Sequence, residues 1–350
     1  MSSAEQVFSE EFSAELVDRE KEQQLLKAYL QDVLHGKKRA LYIDGSPGIG
    51  KTTTTKHIVN QFEDAYSAEV IYKNSANATP NQVLHEIHNR ICPEVEGKIP
   101  SKTLVQKILN HRLRDDKFIL ILVLDNFDRM QHVDDLLWDF HSISQKLPRV
   151  GLVLISTNEA KLRVLIGERL YDRLNPQTYQ FAPYSADRLF EIIRARIKQT
   201  YDKNFVDEES LIHLCQFSAE RGGNVRYLFS LFLDSLELIP RNSSKLSSEI
   251  EEIIERERMK QLRDDLDEMR ASVPTKYELW KLIESSRNIL DTGAVIALAN
   301  ANGLHVSSRT VQNYLLDFER MKLIKLERIR KGQGHSQLVR PVFSPKDLNA

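Results

Sequence analysis

Gly45-Ser46-Pro47-Gly48-Ile49-Gly50-Lys51-Thr52 is the stretch on which the fold turns. An octet of this composition cradles phosphate only when an apolar strand runs into it and a helix leaves it. Arg39 to Asp44 (RALYID) supplies the strand, and a helical pattern from Lys51 to about Phe62 supplies the helix. Gly45, Gly48 and Gly50 let the backbone curl so that its N–H groups converge on an anion, with Ser46, Pro47 and Ile49 completing the loop. The helix that follows turns its positive end toward the same anion.

Outward from the octet the pattern stays the same. Glu69 to Tyr72 (EVIY) reads as a short strand, and two helical patterns lie between Thr79 and Arg114. Ile119 to Leu124 is six consecutive aliphatic residues ending in Asp125, the signature of a strand covered on both faces. Val150 to Ile155 repeats it, ending in Ser156-Thr157-Asn158, and a last short strand falls at Gln177 to Phe181. Strands alternating with helices imply a doubly wound parallel α/β sheet. An amphipathic helix built on Leu25, Leu26, Tyr29, Leu30 and Val33 precedes the first strand. After Pro183-Tyr184 only helices are expected, at 186–201, 208–220 and 224–236, followed by a densely charged helix from Ser247 to Arg270.

From this order the chemistry of a nucleotide site follows. Lys51 is assigned to the β and γ phosphates of ATP, Thr52 to Mg²⁺, and Thr53 to the same cradle. The second metal partner is a carboxylate at the end of a neighbouring buried strand, which is Asp125. Enzymes that hydrolyse efficiently commonly carry Glu next, to polarise water; here Asn126 stands, whose amide accepts no proton, so hydrolysis is expected to be weak. Asn158 is a candidate to orient water or the γ-phosphate, against a turn-forming role. Arg173 and Arg226 are candidates to stabilise phosphate charge, against plain surface arginines.

The tail reads differently. Helices at 277–286 and 294–300, a turn at Asn302-Gly303 and a third helix from Ser307-Ser308 give helix-turn-helix order. Val311, Leu315 and Phe318 share one face of the third helix, leaving Arg309, Gln312 and Asn313 outward with Thr310 beside them, as groups able to read base edges or grip phosphate. Two strand patterns flank Lys331-Gly332-Gln333-Gly334-His335, a turn that with Arg328 and Arg330 makes a basic wing. The net charge of the whole chain is -1, which is silent on a polyanionic partner, yet from His305 onward there are nine Lys or Arg against four Asp or Glu. The basic excess is local, and it suits duplex DNA; a winged helix used for protein contacts is the alternative.

Other classes are excluded or disfavoured. Cys92 and Cys215 are the only cysteines and lie far apart, so neither a disulfide framework nor a cysteine zinc site is available. Met1 to Asp18 is acidic and polar without a secretory pattern, and no apolar run approaches membrane-spanning length, so a soluble cytoplasmic protein without membrane partners is expected. His85-Glu86-Ile87-His88 lacks the spacing of a zinc helix and reads as helix surface.

Taken in order, these motifs resemble the initiator clade of AAA+ ATPases, the archaeal-type origin-recognition and helicase-loading proteins related to the largest subunit of the origin recognition complex. The likeness runs nearly end to end, from Asp18-Arg19-Glu20 through GSPGIGKT, LVLDNFD (Leu122 to Asp128), ISTNE (Ile155 to Glu159), FAPYSADRL (Phe181 to Leu189) and GGNVR (Gly222 to Arg226). By this resemblance the last four are Walker B, sensor 1, the passage into a helical lid, and sensor 2. Arg173 in YDRL looks like an arginine finger acting on a neighbouring subunit's ATP, and the helices of 79–114 contain a motif that touches the DNA backbone. The resemblance implies an AAA+ P-loop domain at 1–183, a helical lid at 184–272 and a winged helix at 273–350. It implies ATP with Mg²⁺, origin DNA, a replicative helicase and other initiator subunits as ligands and partners, with a cytoplasmic location that would be nucleoid-associated if the chain is archaeal. The departure is Asn126, where the family has Glu, which suggests an ATP switch with slow turnover. A non-replicative ATP-binding signalling or transcriptional regulator with a winged helix is the alternative function.

Overall fold

A computed structural model describes residues 18–37, 40–91, 100–112, 117–157, 160–201, 206–238, 246–286, 288–331 and 334–342. The chain divides into two compact units, Met1–Ile250 and Glu251–Ala350. The break falls inside the long charged helix.

In the first unit the described elements run α1 (Glu20–Leu34), β1 (Ala40–Asp44), α2 (Lys51–Tyr66), β2 (Glu69–Asn74), α3 (Pro80–Ile91), α4 (Ser101–Arg112) and β3 (Leu120–Asp125). They continue with α5 (Val133–Lys146), β4 (Val150–Ile155), α6 (Ala160–Ile166), α7 (Glu168–Leu174), β5 (Gln177–Gln180), α8 (Ala186–Thr200), α9 (Glu208–Glu220) and α10 (Val225–Glu237). The strands form one parallel sheet in the order β2-β3-β4-β1-β5. The register sets Leu122 beside Ile71 on one side and Leu152 on the other.

The aliphatic run in β3 is explained by what covers it. Alternate side chains of a strand point to opposite faces, so Leu120, Leu122 and Leu124 join a core with α3, α4 and α5 residues such as Leu84, Ile108 and Phe140. Ile121 and Val123 join a second core with Leu26, Leu30, Ile58 and Val59 from α1 and α2. With both faces covered, no position in β3 tolerates a polar residue until the strand ends at Asp125. The helix α2 begins with four threonines in a row after Lys51, poor helix formers because of their β-branching. Burial of Ile58, Val59 and Phe62 holds it in place. The three helices after the sheet are each started by a short polar side chain that accepts a backbone N–H: Ser185 for α8, Asp207 for α9 and Asn224 for α10.

The second unit contains most of α11 (Ser247–Ser272), then α12 (Pro274–Ser286), β6 (Leu290–Asp291), α13 (Thr292–Ala301), α14 (Ser308–Arg320), β7 (Ile324–Lys331) and β8 (Gly334–Pro341). The strands pair antiparallel in the order β6-β8-β7. Three helices and a three-stranded antiparallel sheet in this order are a winged helix. Its core joins Leu279, Trp280, Ile283, Val295, Val311, Leu315, Phe318 and Val339 to a stripe from α11, namely Leu262, Leu266 and Met269. That stripe, at helical spacing, is the packed face expected of the charged segment. Asp291 and Ser307 cap α13 and α14. Among the described residues no helix is long and apolar enough to cross a membrane.

The candidate nucleotide site and winged-helix surface

The octet closes as a left-handed curl ahead of α2. Gly48 and Gly50 have φ of 72° and 88°, where a side chain is strained, and the space is also taken. A Cβ at Gly48 would lie 1.8 Å from Asn224 Oδ1, and one at Gly50 would lie 2.7 Å from the Tyr184 hydroxyl. Both obstructing side chains come from the segment beyond the sheet. The N–H of Val225 donates to the Gly48 carbonyl at 3.0 Å, so the lid helix α10 is hydrogen-bonded directly to the loop. Asn224 Oδ1 accepts from the N–H groups of Arg226 and Tyr227 at 2.9 and 3.2 Å, fixing the start of α10 there.

Lys51 is buried and its ammonium donates to the Gly45 and Ser46 carbonyls at 2.5 and 2.8 Å. Burial lowers its pKa; the carboxylates of Asp125 and Asp44 oppose that, while Arg226 acts with it. The Lys51 charge is therefore held in a partly dry setting where nearby acids favour it and burial and Arg226 oppose it. Thr52 donates its hydroxyl to Asp125 Oδ2 at 2.7 Å, across 73 positions of sequence. A hydroxyl and a carboxylate in contact at the head of a phosphate loop are hard oxygen donors of the kind Mg²⁺ takes. With the curl of N–H groups beside them, the residues present fit a nucleotide with its metal. Ser46, Pro47 and Thr53 are exposed, and Ile49 is buried in the core below the loop.

The remaining assigned residues fall in several places. Asn126 follows Asp125 directly, with φ 54° and ψ 40°, and its amide donates to Asn74 Oδ1 at 3.4 Å. Asn is the non-glycine residue that best tolerates this left-handed geometry, so the backbone supplies a reason for Asn at 126 independent of catalysis. Arg226 is exposed at the start of α10. Arg173 is exposed on α7, its guanidinium 5.8 Å from the centre of the Trp138 ring on α5, with Arg169 at 5.7 Å from the same ring. Asn158 lies outside the described residues.

Three contributors were not singled out from the sequence. Tyr72 donates its hydroxyl to Asp125 Oδ2 at 2.8 Å. Burial and then the Asp125 charge raise its pKa, so it stays a protonated donor. Arg19 is buried ahead of α1 and donates to the carbonyls of Ile49 and Ala182, both at 2.8 Å, while its guanidinium lies 3.9 Å from the Tyr184 ring centre. It ties the segment before the sheet to the loop and to the passage into the lid. Asn224 is the third. Only Arg19 and Asn224 had any signal, as members of quoted motifs; Tyr72 sits in a strand of unremarkable composition.

His88, expected on a helix surface, is buried, and Glu86 pairs with Lys73 at 2.6 Å. Among the described residues no group of His, Cys, Asp and Glu is arranged to hold a metal ion. The Cys215 thiol is buried, which pushes its pKa up to about 12.

On the winged helix, Arg309, Gln312 and Asn313 are exposed on α14, and Arg328 is exposed on β7. Thr310 is half-buried, its hydroxyl 2.8 Å from the Ser307 hydroxyl in the cap of α14. Leu326 N–H donates to Glu319 at 3.0 Å, fastening the first wing strand to α14. The side chains of Arg330 and Lys331, and the turn residues Gly332 and Gln333, lie outside the described residues.

A parallel five-stranded sheet, a phosphate loop and a helical lid hydrogen-bonded to it define an AAA-type nucleotide-binding fold, and residues 34–164 match the family model described as AAA domain. The chain is 27% identical over 336 residues to an ORC1-type DNA replication protein of Methanothermobacter thermautotrophicus, covering 91% of this chain and 86% of that protein. Among solved structures it resembles Cdc6p of Pyrobaculum aerophilum, with a TM-score of 0.63 at 18% identity over 98% of this chain and 95% of that one. It also resembles the Aeropyrum pernix ORC1 protein solved in complex with DNA, with a TM-score of 0.59 at 19% identity over 98% and 94%. Over nine-tenths of its length the chain is thus similar to an ORC1-type DNA replication protein, and it shares the fold of the two solved structures.

Proposed function

We propose that this chain is a replication initiator in which ATP, held between the sheet and the lid, sets how the protein engages origin DNA and recruits or loads the replicative helicase. The observation that carries the reading is the direct bonding of the lid to the loop, Val225 N–H to Gly48 carbonyl, beside the Thr52–Asp125 pair. Any ligand that swells or orders the loop changes where the lid rests, so nucleotide identity becomes domain orientation. In this reading the three-part division at 183/184 and 272/273 separates ATPase core, lid and winged helix. The DNA-reading residues are Arg309, Thr310, Gln312 and Asn313 on α14, with Arg328, Arg330 and Lys331 on the wing. The likeness to proteins named for DNA replication supports it.

Lys51 neutralises phosphate charge and Thr52 with Asp125 holds Mg²⁺; the metal, when bound, adds charge stabilisation at the phosphates. Asn126 orients but takes no proton, so turnover is slow and the bound nucleotide acts as a state rather than a fuel. Asn158 and Arg226 contact the γ-phosphate side, and Arg173 reaches the nucleotide of an adjoining subunit. Nuclease footprinting on replication-origin DNA with ATP and with ADP tests the whole. Protection of origin sites that differs between the two nucleotides is expected. Nucleotide-independent protection removes the switch, and protection confined to promoter sequences transfers the protein to the regulator class.

A further inference from the structure

Asp125 Oδ2 receives two hydroxyls at once, Thr52 from the loop at 2.7 Å and Tyr72 from the next strand at 2.8 Å. A carboxylate oxygen has two lone-pair sites, so both sites of Oδ2 are committed. The parallel register explains how Tyr72 gets there: Tyr72 stands opposite Val123, and Asn74 stands opposite Asp125, so the long phenol ring leans up the strand to the acid that closes β3. The ring is half-buried against the core, and Lys56 lies 5.0 Å from its centre. It is therefore braced by packing as well as by its hydrogen bond.

We propose that Tyr72 is a positioning residue for the metal: by occupying Oδ2 together with Thr52, it fixes the Asp125 carboxylate so that Oδ1 is the oxygen presented to Mg²⁺ or its water. This rests on the nucleotide reading of the same site. Without Tyr72 the carboxylate is held by one hydroxyl that the metal itself must share, and it rotates. With Tyr72 the carboxylate is already aimed when the Mg²⁺–nucleotide arrives, which is pre-organisation of a ligand by its outer partner. Tyr72 acts through Asp125, to which it donates its hydroxyl, so its effect falls on metal-assisted binding and not on binding as such.

The test is the Mg²⁺ dependence of ATP affinity, measured by equilibrium titration on the full chain and on Tyr72→Phe, which keeps the ring. Loss of a hydrogen bond to a charged group predicts about a tenfold rise in the Mg²⁺ concentration that half-restores tight ATP binding. Affinity measured in excess chelator should stay within about twofold, since a merely structural defect lowers both alike. Asp125→Asn with and without Tyr72→Phe closes the cycle, and the tyrosine should then have no further effect. An unshifted Mg²⁺ midpoint, an equal loss in chelator, or a full additional loss in the Asp125→Asn background each overturns the proposal. A parent protein whose ATP affinity ignores Mg²⁺ sinks the site reading itself.

Discussion

The nucleotide cleft and the winged-helix surface use side chains in opposite ways. In the cleft the residues hold one another: Lys51 is caged by the loop carbonyls, Thr52 and Tyr72 share Asp125, and Asn224 rests against Gly48. On the winged helix, Arg309, Gln312, Asn313 and Arg328 are exposed. An enclosed site must satisfy its polar groups in the folded state, so its residues carry structure and binding together. A surface meant for a polyanion needs only charge and a rigid helix to carry it. Substitutions in the first region should therefore act in large, coupled steps, and those in the second in small, additive ones.

The largest effect is expected from Lys51→Ala. Hydrogen bonds to charged groups contribute about 1.5–3 kcal/mol each, so loss of the ammonium should weaken ATP about 100-fold by equilibrium dialysis. Unchanged affinity removes the cleft as a nucleotide site. Next is Asn126→Glu, where a general base is worth at least about 100-fold when fully in place. The left-handed backbone at 126 resists Glu by about 1 kcal/mol, so a rise of about tenfold in phosphate release is expected with a lower melting temperature. If the rate stays flat while stability falls, Asn126 is there for its backbone and not for water.

The exposed surface should answer more gently. Arg309→Ala with Arg330→Ala removes two charges, and each phosphate contact contributes about 0.9 to the slope of log affinity against log salt. A slope shallower by about 1.8, with affinity lost evenly across DNA sequences, is expected from titrations at several salt concentrations. A parent-like slope leaves the tail without its assigned role, and a loss confined to one sequence means that these arginines read bases.

The same contrast explains what was legible in the sequence. The six aliphatic residues before Asp125 were readable because burial on both faces forbids anything else, and GSPGIGKT because its glycines sit where side chains collide. The caps Ser185, Asn224 and Ser307 fall where the helices were expected to begin. Tyr72 was invisible because its meaning depends on the register of β2 against β3, 53 positions away, and a tyrosine suits any strand. The strand β6 was missed because two residues carry no periodicity and it exists only by pairing with β8. His88 reads as surface once its spacing rules out a zinc helix, yet it falls on the same side of the helix as Leu84 and Ile91, which the fold turns inward.

The smallest predicted effect sharpens the comparison most, because two substitutions of one kind are placed in the two regions. Asn224→Ala and Ser307→Ala each remove a helix cap and should each cost about 1 kcal/mol of stability. Ser307 caps α14 by accepting the Thr310 N–H at 3.1 Å, and its loss, in the absence of DNA, should lower the calorimetric transition while leaving ATP affinity unchanged. Asn224 caps α10 and also fills the space above Gly48, so its loss should lower the transition and weaken ATP severalfold. The two variants thus share one local defect and differ only in what the cap rests against. Equal, undiminished ATP affinity in both would mean that the lid contact at Gly48 is packing alone, and the coupling of nucleotide to lid would have to be sought at Arg19 or Tyr184 instead.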